Sequence, residues 1–138
     1  MNDSWATTPA SRAVMRGNRG YDTGPEMALR RALHSMGLRY RVNTRPLSEV
    51  RRTADVVFTR ARVAVFLDGC FWHGCPEHYR PVQGRNSEYW RSKIARNQER
   101  DRETDRLLEQ AGWTVVRVWE HEDPVENAKR IETLVRRD

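Results

Sequence analysis

Thr53-Ala54-Asp55-Val56-Val57-Phe58-Thr59-Arg60-Ala61-Arg62-Val63-Ala64-Val65-Phe66-Leu67-Asp68 is the stretch that decides the fold of this chain. It contains two runs rich in Val and Phe, Thr53 to Thr59 and Arg62 to Asp68, separated by Arg60-Ala61. β-Branched and aromatic residues suit a pleated, half-buried surface, and so short a break joins two such runs as a hairpin. Thr59 then stands opposite Arg62, Asp55 opposite Phe66 and Thr53 opposite Asp68. Directly paired side chains share a face, so Asp55 and Asp68 point the same way as diagonal neighbours, roughly 7–8 Å apart between Cα atoms.

Asp55 sits inside an otherwise apolar strand, where an unpaired charge is costly. Two acidic groups at this separation suit a hard cation bound through oxygen, as Mg²⁺ prefers. The competing reading pairs Asp55 with Arg51 or Arg52. Glu26, in a helix ahead of the strands, is a third carboxylate that could join through water.

Working outward, Thr23-Gly24-Pro25-Glu26 has the form of a capping box with proline in the first turn. It predicts a helix to about Ser35, buried along Met27, Leu29, Ala32 and Leu33 and ended by Gly37. Leu38 to Val42 reads as an edge strand, and residues 43–52, polar and carrying Pro46, as a loop. Beyond Asp68 an irregular segment, residues 69–86, holds Gly69, Gly74, Pro76, Pro81 and Gly84. Ser87 is placed to cap a long helix to about Gln110, closed by Gly112. Trp113 to Trp119 reads as a strand, and Pro124 to Arg136 as the last helix. Helix, three strands, helix, strand, helix is an order that suits an α/β fold, a mixed central sheet flanked by helices.

The irregular segment opens Gly69-Cys70-Phe71-Trp72-His73-Gly74-Cys75-Pro76-Glu77-His78. Structural zinc takes four sulfur and nitrogen ligands. Cys70, Cys75 and His78 supply three; His121, after the last strand, is the candidate fourth, with His73 its local competitor. Free thiols are the alternative. The chain's two cysteines lie close together in one loop, and a reducing compartment disfavours a disulfide there. Phe71 and Trp72 are adjacent large aromatics, and Trp90 is a third near the start of the long helix. Such side chains either cap a small core or wedge between base pairs. Trp90, Asn97 and Asp101 fall on one helical face that can look back at His73. An Asp on a His ring fixes its tautomer and raises its basicity. A merely solvated, charged face over Arg96 to Arg106 is the competing account.

The 138 residues carry 25 Lys+Arg against 19 Asp+Glu, a net charge of +6. A basic balance favours a polyanionic partner, because each neutralised phosphate releases counterions. No window approaches the apolar run of about 20 residues that a membrane helix needs, and the first residues lack the character of a signal peptide. The expectation is a cytoplasmic monomer with one domain, residues 21–138. Residues 1–20, with Arg12, Arg16 and Arg19 around Met15, read as an arm that orders on a partner.

Taken together, several segments resemble the very-short-patch-repair (Vsr) mismatch endonucleases. They are Asp55-Val56-Val57-Phe58, Asp68-Gly69-Cys70-Phe71-Trp72-His73, Glu88-Tyr89-Trp90, Lys93-Ile94, Asn97, Glu99-Arg100-Asp101-Arg102, Gly112-Trp113 and Val118-Trp119-Glu120. The resemblance implies a restriction-endonuclease-like core with a zinc-stabilised loop. It also implies Mg²⁺-dependent nicking of double-stranded DNA at a T·G mismatch left by deamination of 5-methylcytosine, with general mismatch-repair proteins as partners. By position, Asp55 and the backbone carbonyl of Leu67 resemble the family's metal contacts, His73 its catalytic histidine and Asp101 the partner of that histidine. Glu26 falls on a glutamate associated with metal-bound water. Phe71, Trp72 and Trp90 match an aromatic wedge, Asn97 a neighbouring DNA-facing position, and Met15 an arm that touches DNA from the other groove. Leu67 stands where the best-known branch has threonine, and Asp68 where it has histidine, so Asp68 either adds a metal ligand or replaces a proton-transfer group. The zinc pattern differs as well, but two Cys and two His remain. Two other readings stay open: a related nuclease with another lesion or site, and a non-catalytic DNA-binding module.

Overall fold

The computed structural model describes residues 24–69, 84 and 86–137. The expectations for Met15, Cys70, Phe71, Trp72, His73, Cys75 and His78, and so the zinc loop, lie outside these residues. The described elements are α1 (Gly24–Ser35), β1 (Arg41–Thr44), β2 (Ala54–Phe58), β3 (Val63–Asp68), α2 (Ser87–Gln110), β4 (Thr114–Trp119) and α3 (Pro124–Arg136). Their strands form one mixed sheet in the order β1-β2-β3-β4. β1–β2 and β2–β3 pair antiparallel, whereas β3–β4 pair parallel, joined by the crossover that contains α2. The expected α/β class and helix-flanked mixed sheet are what the described residues form.

The hairpin register is the one the turn dictates, with Phe58↔Val63, Val57↔Ala64 and Val56↔Val65. The turn closes on an N–H bond from Arg62 to the Thr59 carbonyl at 3.3 Å, with Arg62 at φ 57°. The extrapolated pairs Asp55–Phe66 and Thr53–Asp68 do not form, because the ladder stops at Val56↔Val65. β2 stays with β1 to Thr44↔Ala54 while it leaves β3. Asp55 is the residue at which the two strands part.

Alternation along the strands splits the core into two layers. Val56, Phe58, Val63, Val65, Val116 and Val118 face Leu29 and Leu33 of α1 and Ala128 and Ile131 of α3. Val57, Ala64 and Phe66 face the other way, with Leu108 of α2 and Trp113. Every strand has at least one end shifted by one to three residues from expectation, and two boundaries stand out. The edge strand starts at Arg41 rather than Leu38, because the chain first completes the α1 C-terminus. Gly37 adopts φ 86°, Leu38 N–H bonds to the Leu33 carbonyl, and Leu38 is buried in the first layer. Asn86, not Ser87, is the N-cap of α2, and its side chain makes no cap bond. The α2 C-terminus follows the Gly112 signal, with φ 88°. Asp123 caps α3 through the Val125 N–H at 2.9 Å. No helix among the described residues is long and apolar enough to cross a membrane.

Candidate active site

Asp55 stands where β2 parts from β3, and its carboxylate fills the gap. Leu67 N–H donates to Asp55 Oδ2 at 2.6 Å, a side chain taking the place of a ladder carbonyl. Within a strand, one residue's N–H and C=O leave the same edge. The Leu67 carbonyl is therefore directed to the side of β3 on which Asp55 stands. Two of the expected metal contacts, a carboxylate and a backbone carbonyl, are thus neighbours although 12 residues separate them.

Burial pushes the Asp55 carboxyl up to about 7, only partly opposed by the Leu67 N–H bond. Glu26 and Asp68 push it further in the same direction, and Arg30 pulls it down. Three carboxylates from α1, β2 and β3 thus share one field, so a cation bound there would relieve desolvation and mutual repulsion together. The donors are hard oxygens of the kind Mg²⁺ accepts. The residues present therefore fit the metal.

The arginines expected to compete for Asp55 go elsewhere. Arg52 Nη2 lies 3.3 Å from Asp101 Oδ1, and Arg51 is exposed. Glu26 is 1% exposed and pairs with Arg30, one helical turn on. Asp68 is also buried, with Oδ1 3.0 Å from Arg117 Nη1. Among the described residues no three His, Cys, Asp or Glu side chains close on one point as a ready metal cage. Asp68 turned to Arg117 and Glu26 turned to Arg30 are consistent with that.

On the opposite layer, α2 presents Ile94, Asp101, Thr104 and Leu108 as its buried stripe. Trp90 and Asn97 continue the same face and are half-buried. Asp101 is therefore an inward residue, not part of a solvated run. Trp90 packs edge-on against Tyr89, with ring centroids 5.1 Å apart and Tyr89 55% exposed. His121 is exposed in the turn after β4.

Arg117 is the functional candidate that the sequence reading passed over. It lies in β4 paired with Phe66 of β3, its guanidinium 4.3 Å over the Phe66 ring. Asp105 grips it through Nε at 2.9 Å and Nη2 at 2.8 Å. Burial works against the charge of Arg117, but the Asp105 bonds and the fields of Asp68, Asp101 and Asp105 outweigh it and raise its pKa. The signal was in the sequence: a lone charge in Val115-Val116-Arg117-Val118 poses the same problem that singled out Asp55.

Residues 4–78 match the family described as DNA mismatch endonuclease Vsr. The chain is 50% identical over 111 residues to the Type II nicking enzyme V.NaeI of Lentzea aerocolonigenes, covering 79% of this chain and 66% of that protein. It is 38% identical over 135 residues to the Type II nicking enzyme V.NmeDIP of Neisseria meningitidis serogroup C, covering 94% and 88%. It is also 36% identical over 99 residues to the DNA mismatch endonuclease Vsr of Escherichia coli (strain K12), covering 72% and 62%. With a family match over more than half its length, this chain belongs to the Vsr family of DNA mismatch endonucleases.

Proposed function

We propose that the chain nicks one strand of duplex DNA beside a T·G mismatch, in a Mg²⁺-dependent hydrolysis. The observation that carries the reading is the half-buried Asp55 carboxylate, bonded to the Leu67 N–H at the point where β2 and β3 part and pushed by burial up to about 7. Asp55 and the Leu67 carbonyl would hold the cation, which supplies charge neutralisation at the scissile phosphate and its leaving oxygen when bound. His73 takes the proton of the attacking water, and Asp101 orients the imidazole and stabilises its charged form. The burial of Asp101 between α2 and the sheet supports that role, because a carboxylate held by Arg52 and Arg117 is fixed in direction. Asp68, committed to Arg117, acts here as a positioning group rather than a metal ligand. Glu26 contributes through water.

Phe71, Trp72 and Trp90 form the wedge beside the mismatch, flanked by Asn97, and the arm at residues 1–20 with Met15 grips the other groove. Residues 21–138 form the single endonuclease domain, acting as a cytoplasmic monomer. Cys70, Cys75, His78 and His121 hold a structural zinc. The chain path supports His121: Asp68 is paired with Trp119, and Cys70 and His121 each follow two residues later. The restriction-endonuclease-like core is the fold-level counterpart of this reading.

A T·G duplex labelled on each strand separately, incubated with the protein and Mg²⁺ or with chelator, tests it. One labelled strand should be cut, only with metal, and the matched T·A duplex should survive. Binding without cutting would favour a non-catalytic module. Efficient cutting of the matched duplex would favour the second reading, a nuclease with different site specificity. That reading draws on the relatives whose names say nicking enzyme rather than mismatch endonuclease.

A further inference from the structure

Arg117 lies in β4 opposite Phe66, on the face of the sheet that α2 covers, and its guanidinium is held from several directions. Phe66 lies beneath it at 4.3 Å, and Asp105 takes Nε and Nη2 in a two-pronged grip. With those atoms committed, Nη1 points at Asp68 Oδ1, 3.0 Å away, and at Asp101 Oδ1, 3.6 Å away. Nη2 also reaches the Asp101 carbonyl at 3.4 Å. Asp68 adjoins the Leu67 backbone and contributes to the field on Asp55, while Asp101 lies on α2. One rigid cation therefore spans two otherwise separate parts of the site.

We infer that Arg117 is a positioning residue of the nicking reaction, fixing the Asp101 and Asp68 carboxylates relative to each other and so aligning the proton-accepting end of the site with the metal end. The inference rests on the roles of Asp101 and Asp55 in the proposed function. A planar fork is what the task needs, because three carboxylates on two elements, Asp68 on β3 and Asp101 and Asp105 on α2, must be met in fixed directions by one side chain. Lysine offers one point charge on a flexible stem. Asp105 is the outer brace: it grips Arg117 and aims the fork.

The test is single-turnover nicking of a labelled T·G duplex at saturating Mg²⁺, with duplex affinity measured separately without metal. Arg117→Lys should lower the nicking rate roughly 10- to 100-fold, the range for residues that orient a ligand or base. Duplex affinity should be unchanged. Asp105→Asn should lower the rate in the same sense by less, and it carries the test if Arg117→Lys fails to fold by circular dichroism. Each change is repeated in an Asp101→Asn background. A residue acting through Asp101 should cost little more there, whereas a merely structural residue would cost as much as before. Wild-type nicking by both variants, or equal losses in both backgrounds, overturns the role of Arg117 alone. Wild-type nicking by Asp101→Asn itself overturns the proposed proton relay, and this role with it.

Discussion

The Asp55 carboxylate accepts the Leu67 main-chain N–H at 2.6 Å across the point where β2 separates from β3. The bond fixes a half-buried acid beside a backbone carbonyl before any cation arrives. Holding it there is unfavourable, as the rise of the carboxyl to about 7 attests. A protein tolerates such a group where binding or chemistry uses it.

Replacing Asp55 by alanine should reduce nicking by about 10³-fold or more, the scale of losing a group that stabilises transition-state charge. Mismatch binding should persist, since Asp55 is not part of the proposed wedge. Gel-shift and nicking assays on the same duplex check both halves, and wild-type cutting would end the metal-site argument.

The raised Asp55 carboxyl has a defined pH signature. Between its ordinary 3.8 and about 7 the folded chain keeps a proton that the unfolded chain has released. The stabilising contribution of that proton is therefore complete below about pH 4 and is lost as pH rises through 7. Relative to wild type, metal-free Asp55→Asn should gain stability from pH 4 to 8, by at most about 4 kcal/mol from the size of the shift. Urea melts across that range measure the gain. Mg²⁺ binding must displace the same proton, so its affinity should fall about tenfold per unit below pH 7. A Mg²⁺-induced rise in Tm that is equal at pH 6 and pH 8 would contradict this.

Trp90→Ala should weaken discrimination between mismatched and matched duplex more than it weakens overall affinity. Each stacked aromatic is worth about 1–3 kcal/mol against a base, or roughly 5- to 150-fold in affinity for the mismatch. Fluorescence anisotropy on both duplexes separates the two effects, and equal losses on both would argue against a wedge.

Gly37→Ala should destabilise the fold by about 1–2 kcal/mol through backbone strain alone. Gly37 is at φ 86°, and a new Cβ would meet nothing nearer than Arg136 Nη2 at 3.9 Å. Nicking at a temperature where both proteins are folded should be unchanged. A loss of activity without a loss of stability would show that this turn has another task.

Purified protein should carry one zinc per chain by elemental analysis, and His121→Ala should lower that content and the Tm together. Because ligands to a structural zinc couple metal binding to folding, the melting of the zinc-free chain should not respond to the substitution. Retention of one zinc by His121→Ala would move the fourth ligand to His73.

How far the sequence reached is clearest along β2 and β3. A break of two residues between apolar runs leaves one register that keeps Val56, Phe58, Val63 and Val65 on a common face, so the pairing was legible from local chemistry. Gly37 and Gly112 likewise marked helix ends, because a left-handed turn is decided by the residue that makes it. The departure of β2 from β3 at Asp55 was not legible in that way. It depends on a carboxylate outcompeting a ladder carbonyl for the Leu67 N–H.

Arg117 marks the other boundary. Its charge inside an apolar strand was visible, but its partners were not. Asp68 lies 49 residues away and comes within reach only when β4 pairs parallel to β3, with Phe66 opposite Arg117. Nearest-neighbour chemistry set the elements and the hairpin register. The alignment of distant charges was set by the crossover that stacks α2 on the sheet, because electrostatic and hydrogen-bond energies depend on separation in space, not in sequence.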